Sequence, residues 1–272
     1  MSKSALIIGI SKYPAATDLP GAAQDLTDWM VLLTTRGFAV KALRDAGATK
    51  NAIIGEIRTL LKNASSGDNL AVIYSGHGTS ALKYDGLVGY FESGSPDCTN
   101  TVLTAELEDI IKKCLPAGAK LTTILDCCHA RAILPPPPAM AIPEEIQGRP
   151  GVANDQVRFL PYDSSSDGLA VRFRNLVYEI HSIGRAILAT FSGNDEPLRL
   201  AATDEVGSAY EGKMADGKYH GYFSYRLTTI ATANPAITHD AAILDARGFT
   251  TQHHSDQQPQ IRGPRRRNAF LT

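Results

Sequence analysis

No run of apolar residues in this chain of 272 approaches the roughly 20 needed to cross a bilayer. Its first residues lack the series of charged leader, long apolar stretch and small-residue cleavage site that marks an exported protein. Those absences predict a cytoplasmic protein without a membrane partner. Cysteine is scarce: Cys98, Cys114, Cys127 and Cys128 are too few to staple a fold of this size, and two of them are adjacent, a poor geometry for ordinary cross-links. Free thiols are expected. Charge of one sign is missing too, because 27 Lys and Arg face 28 Asp and Glu for a net −1, whereas gripping nucleic-acid phosphates needs a concentrated positive field. No nucleic-acid partner is expected. The one dense basic stretch, Arg262 to Arg267, lies at the end and reads as a solvated tail.

What remains is an ordinary globular composition, 43% hydrophobic and 20% charged, long enough for one large domain or two small ones. Over the first 130 residues strand-like and helix-like segments alternate, the pattern of a parallel sheet covered on both faces. Ala5 to Ile10 reads as a buried strand. Leu26, Trp29, Met30 and Leu33 recur at helical spacing, with Gly37 closing that helix before a strand at Phe38 to Leu43. Ile53, Ile54, Ile57, Leu60 and Leu61 mark a second helix, and Asn69 to Tyr74 a third strand. A third helix runs through Leu107, Ile110, Ile111 and Cys114, capped by Thr104 and stopped by Pro116, and Leu121 to Leu125 is the fourth strand. Four prolines, Pro135 to Pro138, then open a connection without sustained period. Order resumes with a helix through Leu169, Phe173, Leu176, Val177 and Ile180, a strand at Ala186 to Phe191, and a helix around Phe223, Leu227 and Ile230. One α/β domain over residues 1–272 is expected: a part at 1–130, an exposed connection at 131–167 and a part at 168–272.

Two strands end in unusual residues. The third runs into Y-S-G-H-G-T (Tyr74 to Thr79) and the fourth into L-D-C-C-H-A (Leu125 to Ala130), and in open parallel sheets sites form beyond the carboxyl ends of strands. A histidine and a cysteine would meet there, the imidazole taking the thiol proton and returning it to a leaving amine. Gly76 and Gly78 beside His77 leave room for a substrate backbone and free a main-chain N–H to face a developing oxyanion. Zinc held by Cys127, Cys128, His129 and His77 is the competing reading, although adjacent cysteines lack the usual ligand spacing.

S-G-H-G followed by D-C-C-H resembles the caspase-like cysteine peptidases, in particular their metacaspase and bacterial orthocaspase branch. A-L-I-I-G-I-S-K-Y (Ala5 to Tyr13), L-P-G-A-A-Q-D-L (Leu19 to Leu26), G-D-N-L-A-V-I-Y and H-G-Y-F-S-Y-R-L (His220 to Leu227) extend the likeness over most of the chain. The resemblance implies the caspase–haemoglobinase fold, a mostly parallel sheet between two helical layers. It makes Cys128 the nucleophile, His77 the base and the Gly78 amide, with that of Cys128, the oxyanion donors. Asp25, Ser75 and Asp126 map onto an acidic pocket for Arg, then Lys, before the cut. Each carboxylate would attract a guanidinium by about 4 kcal/mol at about 4 Å under an effective dielectric near 20, before desolvation is subtracted. Arg131, Arg149 and Arg158 are candidate self-cleavage points in a processing linker.

Many members also depend on calcium held by aspartates after the histidine strand. Here Gly86 to Thr101 offers only Glu92 and Asp97, so no metal ligand is assigned and calcium stays open as a cofactor. The expected partners are protein or peptide substrates, with a pore-forming or signalling protein suggested by analogy alone in a role in cell death or defence. A weakly active caspase-like module that acts by binding a partner is the alternative.

Overall fold

A strand buried on both faces needs apolar side chains at every position, and Ala5 to Ile8 supply them without a break. The computed structural model describes residues 1–79, 86–128, 155–162, 196–203 and 207–272. In chain order it runs β1 (Lys3–Gly9), α1 (Pro20–Thr35), β2 (Ala39–Arg44), α2 (Lys50–Lys62) and β3 (Asn69–Ser75). Three short strands follow, β4 (Gly78–Thr79), β5 (Gly86–Val88) and β6 (Thr101–Leu103), then α3 (Thr104–Cys114) and β7 (Lys120–Asp126). The rest comprises β8 (Gln156–Val157), β9 (Leu198–Ala201), β10 (Tyr210–Lys213), β11 (Tyr219–Gly221), α4 (Tyr222–Ala233), α5 (His239–His253) and β12 (Gln260–Arg262).

Six strands form the central sheet in the order β12-β9-β7-β3-β1-β2, parallel throughout except for the antiparallel edge strand β12. The helices α2 and α3 cover one face, packing Ile53, Ile57, Leu107 and Ile110 on Leu6, Ile8, Val72 and Leu121. On the other face α1, α4 and α5 set Trp29, Leu33, Phe223, Leu227 and Ile243 against Ala5, Ile7, Ile73 and Ile124. The result is the expected three-layer α/β architecture. From β1 the chain moves to β2 on one side and then to β3 on the other, so the strand order reverses there, and a crevice opens beyond the carboxyl ends of β1, β3 and β7.

Several expectations need correction. Thr104 is the first residue of α3 and not its cap; Leu103, the last residue of β6, holds that position without a side-chain bond, because the strand runs straight into the helix. The strand beside β7 is Leu198–Ala201, a segment with no local signal that pairs with Thr122 to Leu125 on one side and with β12 on the other. The helix through Leu169 to Ile180, the strand at Ala186 to Phe191 and the run Pro135 to Pro138 lie outside the described residues.

The basic terminus is no solvated tail. Arg262 sits in β12 opposite Arg199, the Arg265 Nη2 donates to the Leu121 carbonyl at 2.9 Å, and Phe270 is fully buried, leaving Arg266 and Arg267 exposed. His239 fastens this end. Its Nδ1 donates to the Asn268 carbonyl at 3.1 Å while its Nε2 accepts from the Leu271 N–H at 3.1 Å, an arrangement only the neutral ring can make. Burial accordingly pushes His239 down to about 4 from its ordinary 6.5. Below pH 6.5 the unfolded chain takes up a proton here that the folded chain refuses, so this contribution is complete above 6.5 and is lost as pH falls toward 4, by at most about 1.4 kcal/mol per pH unit. Thermal unfolding should therefore show a shallower acid decline in His239→Gln than in the parent between pH 6.5 and 4.5. Parallel declines would show that this ring does not carry the effect.

Candidate active site

β3 and β7 are neighbours in register, Ser75 opposite Asp126, so the residues just after each strand come out side by side at the crevice. That places His77 and Cys128 in one region. Gly78 lies so close to the second segment that a Cβ on it would fall 2.0 Å from the Cys128 carbonyl oxygen, and only glycine fits. Cys127 and Cys128 belong to the cores on opposite faces of the sheet, as strand alternation requires. Their thiols cannot share a zinc ion, and among the described residues no group of three or more His, Cys, Asp or Glu side chains could hold a metal. Of the two carboxylates after the histidine strand, Glu92 is exposed, and Asp97 accepts from the Thr99 N–H at 2.7 Å and its hydroxyl at 2.6 Å.

The imidazole of His77 is held firmly. Its Nε2 donates to the Thr17 carbonyl at 2.8 Å, its backbone N–H to the Tyr13 hydroxyl at 3.1 Å, and the two rings lie 4.8 Å apart. That fixes the proton on Nε2 and leaves Nδ1 as a buried lone pair without a hydrogen-bond partner among the described residues. Cys128 Sγ accepts from the Ala209 N–H at 3.1 Å. Burial pushes the Cys128 thiol up to about 12, against the pull of the Ala209 N–H, and pushes His77 down to about 4. The pair is thus neutral thiol and neutral imidazole in this conformation.

A buried arginine fills the neighbouring pocket. Arg158 has no solvent exposure, although it lies in the connection expected to be exposed; in its described part, 155–162, that segment is threaded into the crevice. Its Nη2 lies 2.7 Å from Asp25 Oδ2 and 3.2 Å from Glu211 Oε2, and its Nη1 lies 3.1 Å from Asp126 Oδ1 and 2.9 Å from Ser75 Oγ. Ser75 in turn donates to Asp25 at 2.7 Å. Asp25, Ser75 and Asp126 are therefore brought together around one guanidinium. Glu211 is a fourth member that sequence reasoning missed; its place beside Gly212, ahead of the H-G-Y-F-S segment, gave no chemical signal of its own. Burial drives Asp25 up to about 7 in spite of Arg158 and raises Glu211 as well, since three carboxylates outnumber the one guanidinium. Arg158 itself stays charged, because those carboxylates outweigh the cost of its own burial.

The backbone of the same segment is equally engaged. The Arg158 carbonyl accepts from the Gly78 N–H at 2.9 Å and the Cys128 N–H at 3.3 Å, the Arg158 N–H donates to Ala209 O at 2.9 Å, and the Leu160 N–H donates to Gly78 O at 3.0 Å. β8 adds to β10 as an antiparallel strand, Gln156 opposite Glu211 and Val157 opposite Tyr210. Arg131, Arg149 and His129 lie outside the described residues.

A family model described as metacaspase, peptidase C14 domain matches residues 3–137. Metacaspase-1 of Schizosaccharomyces pombe is 31% identical over 288 residues, covering 95% of this chain and 66% of that protein. Metacaspase-1 of Lodderomyces elongisporus is 26% identical, covering 95% and 64%. The chain thus spans just under two thirds of the length of these curated relatives. In fold, a crystal structure of a Geobacter sulfurreducens protein is similar at a TM-score of 0.62 and 16% identity, over 98% of this chain and 97% of that one.

Removing the cation leaves three buried carboxylates uncompensated, a loss of about 3–5 kcal/mol. Arg158→Ala should lower the melting temperature sharply, and millimolar ethylguanidine, which refits the vacated space, should restore part of it. An unchanged melting temperature, or equal rescue by urea, would mean that the guanidinium does not hold the pocket together.

Proposed function

This chain is a caspase-like protein of the metacaspase type, and from that premise we propose that it is a cysteine endopeptidase that cuts after arginine, and after lysine less well. The carrying observation is the seat of Arg158, whose carbonyl rests between two amides while its guanidinium fills the acidic pocket. This is the pose of a substrate residue before the cut, adopted by the chain's own connection. Cys128 attacks the Arg158 carbonyl carbon as its proton passes to His77 Nδ1, and the Gly78 and Cys128 amides carry the charge that develops on oxygen. The proton then goes to the Phe159 nitrogen as the peptide bond breaks, and water hydrolyses the thioester to give an Arg158 carboxylate.

Arginine is favoured over lysine because its planar fork meets Asp25, Asp126 and Glu211 at once, whereas an ammonium on a shorter reach meets fewer of them. Self-cleavage falls at Arg158–Phe159, the bond that occupies the crevice. Since the thiol is neutral while buried, the segment also restrains the enzyme until it is cut or displaced. Among the described residues no helix is long and apolar enough to cross a membrane, and the reading assigns the chain regulated proteolysis of protein substrates.

The purified chain should yield a fragment whose C-terminus is Arg158, identified by mass spectrometry. Cys128→Ala and His77→Ala should abolish that fragment, and Arg158→Lys should slow its appearance at least tenfold. The same fragment from Cys128→Ala, or cuts at sites unrelated to basic residues, would refute the assignment. An intact chain that also leaves arginyl peptides uncut would favour the partner-binding module.

A further inference from the structure

The connection in the crevice presents more than its arginine. Three residues before Arg158, the Asp155 side chain is almost wholly buried, with 7% exposure, as is the His254 ring at 3%. Asp155 Oδ2 accepts from the Tyr222 hydroxyl at 2.7 Å and lies 2.7 Å from His254 Nε2. Both partners are braced. Tyr210 stacks on His254 with centroids 3.8 Å apart and planes 7° apart, its own hydroxyl donating to Asp256 at 2.8 Å, and Tyr222 meets the His254 ring edge-on. Burial raises the Tyr222 phenol, and Asp155 adds to the effect, so the group remains a donor. The floor is Gly212: a Cβ there would sit 2.4 Å from Asp155 Oδ1 and 2.8 Å from the Tyr222 hydroxyl oxygen, so the space exists only because position 212 has no side chain.

We propose that Gly212, Tyr222 and His254 form a second subsite that selects a carboxylate side chain three residues before the arginine, so that preferred substrates read Asp-x-x-Arg. The inference rests on the peptidase reading above. The pairing of β8 with β10 supplies sequence-independent main-chain bonds, and side-chain pockets along an added strand then supply the selection. Here the first pocket takes a cation and the second an anion. Between them Val157 rests against the apolar cluster of Tyr210, Met214 and Tyr222, which asks only for a compact apolar side chain. A buried phenol and imidazole aimed at one carboxylate oxygen favour that charged acceptor over a neutral isostere, because charge-assisted hydrogen bonds are roughly twice as strong as neutral ones.

Two reporter peptides, Asp-Gln-Val-Arg and Asn-Gln-Val-Arg, each with a fluorogenic amide after the arginine, separate the possibilities on the full chain. The Asp peptide should be turned over with a kcat/KM at least about tenfold higher, the difference lying mainly in KM. His254→Leu and Gly212→Ala should each bring the Asp/Asn ratio toward one, a ratio that partial misfolding does not move. Cleavage of both peptides after arginine at equal efficiency would overturn the second subsite and leave the peptidase reading standing. Failure to cleave either would overturn the peptidase reading and this inference with it.

Discussion

Three buried carboxylates reach the same point from three separate parts of the chain: Asp25 on the first helix, Asp126 at the end of a central strand and Glu211 on a short strand of the second half. Such a cluster repels itself unless a cation occupies its centre, and a cation that brings several hydrogen-bond donors meets more of the buried oxygens at once. Arg158 is such a cation. The glycines of the region serve the same geometry, because the strands and helices carrying the acids can approach only where side chains are missing. The proposed specificity for a basic residue and the need for an internal counter-ion would thus share one electrostatic origin.

The same burial governs the sulfur and the imidazole. Excluding water from Cys128 and His77 removes the solvation that a thiolate and imidazolium require, and both are held neutral. Two features are already set for the opposite state: the Thr17 carbonyl fixes the tautomer of His77, and the Ala209 N–H points at the sulfur. Under the proposed mechanism, reactivity would then depend on whether the crevice is wet or filled, a property of the connection and not of the strand ends.

Local pattern made the core legible. Mostly apolar runs in Lys3–Gly9, Asn69–Ser75 and Lys120–Asp126, with helical spacing between them, are enough to build three parallel strands and to bring the segments that follow β3 and β7 to the same end of the sheet. Elements of two to four residues were not legible. Gln156–Val157, Leu198–Ala201 and Gln260–Arg262 carry no periodicity of their own and exist because a distant strand offers a free edge. Glu211 escaped notice for that reason, as did the burial of Arg158, since an arginine in a proline-rich connection looks solvated until its three acids are assembled in space. The basic terminus misled in the same way, Arg262 being spent on an edge strand and Arg265 on a main-chain carbonyl.

The central sheet is shared across the Arg158–Phe159 bond: β7 precedes it, β9 follows it, and the two lie side by side with Thr122 to Leu125 paired to Leu198 to Ala201. Severing that one linkage would leave two polypeptides held by interior ladder bonds and a common apolar layer. Their unfolding would become a dissociation, so that dilution alone would weaken the severed molecule.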